Sequence, residues 1–163
     1  MPGKLIIPSP SLPKHIPGYR LPEKKDHLLD WSFIDEQMSA AHYYWISTVN
    51  LKTHPHAVPV WGLWYENRVY LEGSPKTAWA SNAMRNPHVS VHLPDAERVI
   101  IIEGAAQFLG DDDLNPDTWK TIDTLYQNKY QVLKGSPWIL IHPRKVLAWA
   151  NPDLQTMTCW KFK

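Results

Sequence analysis

The chain has 163 residues, a formal net charge of +1, 20% charged residues, nine tryptophans and one cysteine. That length suffices for one domain with its own core, and near-neutral charge excludes the broad positive field of a nucleic-acid or membrane-surface binder. A lone Cys159 excludes an internal disulfide and fits a reducing cytoplasm, and no apolar run approaches the roughly 18 residues of a membrane span.

Residues 1–30 carry Pro2, Pro8, Pro10, Pro13, Pro17 and Pro22. Proline fixes φ and removes a donor, so neither helix nor central strand is expected there. The stretch reads as an extended arm lying on the domain or on a partner subunit, with a disordered tail as the alternative. Lys4 is followed by prolines rather than by the apolar core of a signal peptide. Residues 31–163 are expected to form a single domain.

Ser32 is expected to open a helix, with Asp35 three residues later in a capping-box-like arrangement. Ile34, Met38 and Ala41 share one face of it. Residues 43–49 read as a strand rich in aromatic and β-branched residues. After a turn at 50–54, the strand 57–64 is apolar on both faces, which predicts cover on both sides. Pro59 predicts a bulge or a break in its pairing. Glu66-Asn67 turns the chain into a strand at Val69-Tyr70-Leu71.

A helix over 75–85 follows, with Pro75 at its first position and Asn86-Pro87 as its stop. Its opening, Ser74-Pro75-Lys76-Thr77, would offer backbone N–H groups and the positive dipole end to an anion. Trp61 and Trp64 on the neighbouring strand could cover a flat ring. A planar cofactor bearing a phosphate is the first hypothesis from these residues. Val89, Val91 and Leu93 then alternate with His88, Ser90 and His92 in a half-exposed strand. Residues 99–109 form a long strand, and Gly104 on it permits a close neighbour or a sharp bend. Asp111-Asp112-Asp113 reads as a solvated loop. Pro116 starts a helix with Trp119, Ile122 and Tyr126 on one side. Trp138 to Ile141 and Val146 to Trp149 read as two strands, with His142 before Pro143 in a turn between them. Residues 156–162 read as a last strand. Seven or so short strands with three helices suggest a mainly β (α+β) barrel rather than a doubly wound sheet.

Other chemistry is weakly signalled. His54 and His56 share a strand face, as do His88 and His92, but there is no HExxH and no cysteine pair, so no metal site is assigned. No Ser/His/Asp arrangement stands out. No glycine-rich nucleotide loop follows a strand.

Taken in order, PHAVPVWGLW (55–64), VYLEGSPKTAWASNAMRNPHVSVHL (69–93) and VIIIEGAAQFL (99–109), with the closing WILI, VLAW and TCWKF segments, resemble the pyridoxamine 5′-phosphate oxidase-like family of flavin-binding split β-barrels. The resemblance spans about residues 31 to 162. It implies a homodimer with FMN, or the related deazaflavin coenzyme, in clefts between two barrels. The ring would pack on the strand backbone at Val58, Pro59, Val60 and Trp61. The phosphate tail would lie near that strand and the start of the helix. Relatives commonly carry a Ser/Thr–Arg–Lys run there; the matching positions are Thr77, Ala78 and Trp79, so Thr77 is kept and both cations are absent. The oxidase's Arg and Lys on the preceding strand match Val58 and Leu63. Lys76 is the candidate substitute, Asn82 matches a polar residue that often follows, and Trp160 and Lys161 would reach the partner's cofactor. Trp79 would pack the helix on the barrel or stack on a ring. The resemblance implies an oxidoreductase that transfers hydride between the FMN-type cofactor and a small organic substrate. The alternative is a non-catalytic binder of haem, a flavin or another ligand on the same fold.

Overall fold

The computed structural model describes residues 5–150 and 154–163; Pro2 and Lys4 lie outside them. Residues 5–24 of the proline-rich stretch form no helix and no strand. They run over the domain itself: Ser11 and Cys159 exchange backbone hydrogen bonds of 2.9 Å in each direction, and the Ser11 hydroxyl donates to the Cys159 carbonyl at 2.8 Å.

The first helix, α1 (Trp31–Ala40), buries Ile34 and Met38 completely, as their spacing predicts. The Ser32–Asp35 capping box does not form. The helix begins one residue earlier, with Asp30 at its N-cap position, and Asp35 instead accepts the Trp64 indole N–H at 2.7 Å. The next two strands, β1 (Tyr44–Val49) and β2 (Pro55–Val60), are antiparallel. Their turn is pinned by Asn50, whose side-chain oxygen accepts from the N–H groups of Lys52 and His54. β2 is an edge strand whose outer positions Pro55, Ala57 and Pro59 are exposed. The expected cover on both faces is therefore absent. Pro59 pairs in regular register with Trp45, and the break falls two residues later, at Trp61.

Past Trp61 the chain enters β3 (Gly62–Tyr65) and β4 (Arg68–Glu72). Glu66 and Asn67 both have positive φ, +49° and +61°, the two-residue turn that matches the twist of a tight hairpin. The helix α2 (Ala78–Arg85) is followed by β5 (His88–His92) and β6 (Arg98–Phe108). Val89 and Val91 of β5 are buried, and His88, Ser90 and His92 are not. The long helix α3 (Pro116–Tyr130) is capped by the Asn115 side chain, which accepts from Thr118 N–H at 2.8 Å.

Residues expected as two strands are one, β7 (Trp138–Ala150), and β8 (Thr158–Lys161) closes the chain. His142 is thus a strand residue. Proline is tolerated there because the ladder is already interrupted: β7 bulges at Arg144, which is left unpaired between Lys145 opposite Glu103 and Pro143 opposite Gly104, and β7 changes neighbour from β4, paired to Ile141, to β8, paired from Lys145. Gly104 is required at that bulge, since a Cβ would lie 2.4 Å from the His142 carbonyl oxygen.

The strand order is β2-β1-β5-β6-β7-β4-β3, every pair antiparallel. β2 and β3 occupy opposite ends of this order, yet only Trp61 separates them in the chain. The sheet must therefore curl until its ends meet, which makes it a split β-barrel. Its interior holds Ile46, Leu71, Val91, Ile100, Ile139 and Val146, with Ile34 and Met38 of α1 and Trp79 of α2 packed in. A second core lies outside: Ile122, Tyr126 and Tyr130 of α3 pack on Leu63, Tyr70, Trp138 and Leu140. The strands covered on both faces are β4 and the first half of β7.

Candidate functional site

The turn at 74–77 does not continue α2 backwards. Thr77 N–H and Thr77 Oγ1–H both donate to the Ser74 carbonyl, at 2.9 and 2.8 Å, and Lys76 N–H donates to Ser74 Oγ at 3.3 Å. Pro75 is therefore a turn residue, and helix geometry starts three residues later than its position suggested. Ser81 N–H reaches the Thr77 carbonyl, so the N–H groups with no helix carbonyl ahead of them are those of Ala78, Trp79 and Ala80. Lys76 and Thr77 are exposed beside them. The Thr77 hydroxyl spends its proton on Ser74 and keeps acceptor capacity only.

Behind this tip the packing is tight. Trp79 is 5% exposed, and its indole lies against Gly73, where a Cβ would sit 2.1 Å from Trp79 Cζ2. Trp79 thus packs α2 onto the barrel and offers no face to a ring. Asn82 is buried and donates to Thr48 Oγ1 at 3.2 Å, which ties α2 to β1. Arg85, at the far end, donates to Ser81 Oγ at 2.8 Å. α2 packs against β1, β2 and β6.

On β2, Val58 leans on the core, Val60 is buried and Pro59 is exposed. Leu63, the second position where the oxidase has a cation, is buried under α3. Trp61 is 39% exposed and stacks in parallel on Tyr130, with centroids 4.7 Å apart and 6° between planes. One face of its indole is therefore covered by the chain's own α3. Trp160 is fully buried, edge-on to Trp31 at 5.5 Å. Lys161 is exposed and, with Ile6, Arg68, His142 and Phe162, lines a cavity of about 570 Å³ on its own chain.

A cluster that the residue pattern did not single out lies beneath Trp61. Tyr130 Oη accepts from Gly62 N–H at 3.0 Å and donates to the His42 carbonyl at 2.6 Å. Lys129 Nζ donates to the Gly62 carbonyl at 2.9 Å. Burial pushes the Lys129 amine down to about 8 and the Tyr130 hydroxyl up to about 12, and raises Tyr44 and Tyr126 as well. Continuing the i, i+4 step from Ile122 through Tyr126 reaches Tyr130, which is the signal that could have found it.

The histidine pairs build nothing together. His92 stacks on Trp45 and its Nδ1 meets the Leu93 carbonyl, while His142 Nε2 meets Gln107 Oε1 at 2.6 Å. Among the described residues, no three His, Cys, Asp or Glu side chains come together as a metal site, and no helix is long and apolar enough to cross a membrane.

A family model described as pyridoxamine 5′-phosphate oxidase matches residues 32–150. No curated protein matches the chain by sequence. Among solved structures, a conserved hypothetical protein of Mycobacterium tuberculosis is similar at a TM-score of 0.65 and 19% identity, over 78% of this chain and 88% of that one. An F420 reductase is similar at 0.54 and 16%, over 69% and 94%. HutZ, the haem storage protein of Vibrio cholerae, is similar at 0.56 and 14%, over 68% and 87%. At these identities the structures share the fold and nothing finer.

Proposed function

Because the chain belongs to the pyridoxamine 5′-phosphate oxidase family, matched over residues 32–150, we propose that it is an oxidoreductase that transfers hydride between a bound FMN-type cofactor and a small organic substrate. The observation that carries this reading is the exposed tip of α2. There Lys76 and Ala78 are exposed at the start of α2, which packs beside β2. One amine and a helix start fit a phosphorylated tail. The Thr77 hydroxyl orders the turn by donating to the Ser74 carbonyl and has no proton left for a phosphate. The backbone of Val58, Pro59 and Val60 and the outer face of Trp61 would line the ring. The cofactor, when bound, supplies the hydride chemistry, and the protein holds and orients it. The exposed edge of β2 leaves room for a second copy, whose Lys161 would complete the cleft in a homodimer.

The deazaflavin coenzyme is the alternative cofactor on the same tip, a reading supported by the similarity to the F420 reductase. A second class of function is a binder of haem or another ligand without turnover. It is favoured by the missing cations: Val58 is half-buried against the core and Leu63 and Trp79 are buried, so none of these positions can supply charge.

Titration of the purified protein with FMN, the deazaflavin coenzyme and haem in turn, followed by visible absorption, separates these. Binding of either flavin with oxidation of a reduced nicotinamide or reduced deazaflavin is the expected result. A haem band without turnover would replace the enzyme with the binder. Sedimentation velocity should give a dimer.

A further inference from the structure

Trp61 and Gly62 are where the chain leaves one end of the curled sheet and enters the other. Three backbone polar groups at this crossing have partners. Glu72 N–H donates to the Trp61 carbonyl at 3.1 Å, Gly62 N–H donates to Tyr130 Oη at 3.0 Å, and Lys129 Nζ donates to the Gly62 carbonyl at 2.9 Å. Two of these three partners come from the last turn of α3. Gly62 itself cannot be larger, since a Cβ would lie 2.5 Å from the Tyr70 carbonyl oxygen.

A hydroxyl carries a single proton. Tyr130 gives its proton to the His42 carbonyl at 2.6 Å, the shorter of its contacts, so the Gly62 carbonyl depends on Lys129 for a strong donor. The amine is held in turn by π-faces. It lies 4.8 Å from the Tyr44 ring centroid, 5.2 Å from that of Tyr130 and 3.4 Å from the Tyr44 hydroxyl. Among the described residues no carboxylate pairs with it. The other titratable groups around it are His42, whose ring is 5.1 Å from that of Tyr130, and Tyr126, 4.7 Å from Tyr130 and bonded to Glu72 of β4.

We propose that Lys129 and Tyr130 are positioning residues for the cofactor face: they lock the Trp61–Gly62 crossing, and the charge of Lys129 holds the Tyr130 ring on which Trp61 stacks. The outward face of Trp61 is thereby presented at a fixed angle, as the end wall of the site. This rests on the flavin reading above only for what Trp61 faces, and the lock itself is a property of the free protein. Loss of the ammonium charge removes the attraction to the two rings and weakens the bond to the Gly62 carbonyl, so the Trp61–Tyr130 stack loosens.

The test uses the full chain without cofactor. Fluorescence from Trp61, taken as wild type minus Trp61→Phe, is followed from pH 6 to 9.5. A single step near pH 8 is expected, absent in Lys129→Arg, which keeps its charge throughout. Lys129→Met should hold the high-pH signal at every pH. A flat wild-type profile overturns the proposal, as does a step that survives in Lys129→Arg, which would mark another group. FMN affinity measured over the same range should fall several-fold across the step in wild type and stay level in Lys129→Arg. A fluorescence step with unchanged FMN affinity upholds the lock and removes Trp61 from the flavin site.

Discussion

Replacing Gly73 by alanine tests the packing that sets the start of α2. Gly73 does not have left-handed φ, so contact alone decides the outcome. The added methyl would lie 2.1 Å from Trp79 Cζ2, 2.5 Å from Cη2 and 3.1 Å from Cε2, all in the indole. Ordinary contact begins near 3.4 Å, so the ring or the backbone must shift by about an ångström in a close-packed interior. Trp79 is 5% exposed inside the barrel core and has no open side to move into. Overpacking of this kind costs about 1–3 kcal/mol, and expelling the indole would cost more, about 3–5 kcal/mol. We expect Gly73→Ala to lose about 3 kcal/mol in urea unfolding followed by fluorescence and far-ultraviolet circular dichroism. Trp79→Phe removes the clashing atoms and leaves a small cavity. The double variant should therefore be more stable than the sum of the singles, by a coupling of about 1–3 kcal/mol. A Gly73→Ala protein within about 0.5 kcal/mol of wild type, or strictly additive singles, would refute the account of how α2 is seated.

Lys76→Ala should weaken FMN binding by roughly 10- to 100-fold, the worth of about 1.5–3 kcal/mol for a charge-assisted bond. Arg85→Ala, at the other end of α2 and already bonded to Ser81, should change it by less than about twofold, and equal effects in isothermal calorimetry would remove Lys76 from the site. Asn82→Leu breaks the buried bond to Thr48 and should cost about 1–2 kcal/mol in urea unfolding. The urea midpoint should rise from about pH 8 towards pH 10, because the folded Lys129 releases its proton near 8 while the unfolded lysine keeps it to about 10.4. Above about pH 10 the midpoint should fall, because Tyr44, Tyr126 and Tyr130 ionise more readily once unfolded. Lys129→Met should show the fall without the rise.

Local pattern was a reliable guide where one residue type enforces one geometry. Val89 and Val91 alternate because one face of β5 meets the core, and Glu66-Asn67 turns with both residues at positive φ, a conformation Asn tolerates well. The family resemblance carried the split barrel, and the structure agrees. The misreadings occur where a long-range neighbour decides. Pro143 looks like a break until β7 is seen to bulge beside it, at Arg144. Residues 57–64 look doubly covered, but apolar side chains on β2 are equally compatible with an open edge. Pro75 looks like a first helical residue, whereas the Ser74 carbonyl captures Thr77 and delays the helix. Lys76 and Thr77 are read from the helix opening and the family resemblance, and both are exposed at the start of α2. The dependence of Trp61 on Lys129 and Tyr130 could not be read that way, because those residues are separated by almost half the chain.

The two prolines on β2 constrain how copies of this molecule can meet. A proline turned towards β1 would forfeit a rung of the ladder, so Pro55 and Pro59 set their missing donors on the open side. A visiting strand would find there only the Ala57 N–H between two prolines, so stacking of barrels edge to edge into a growing fibril is disfavoured. Two subunits that join along this border would therefore rely mainly on side chains rather than on a continuous ladder.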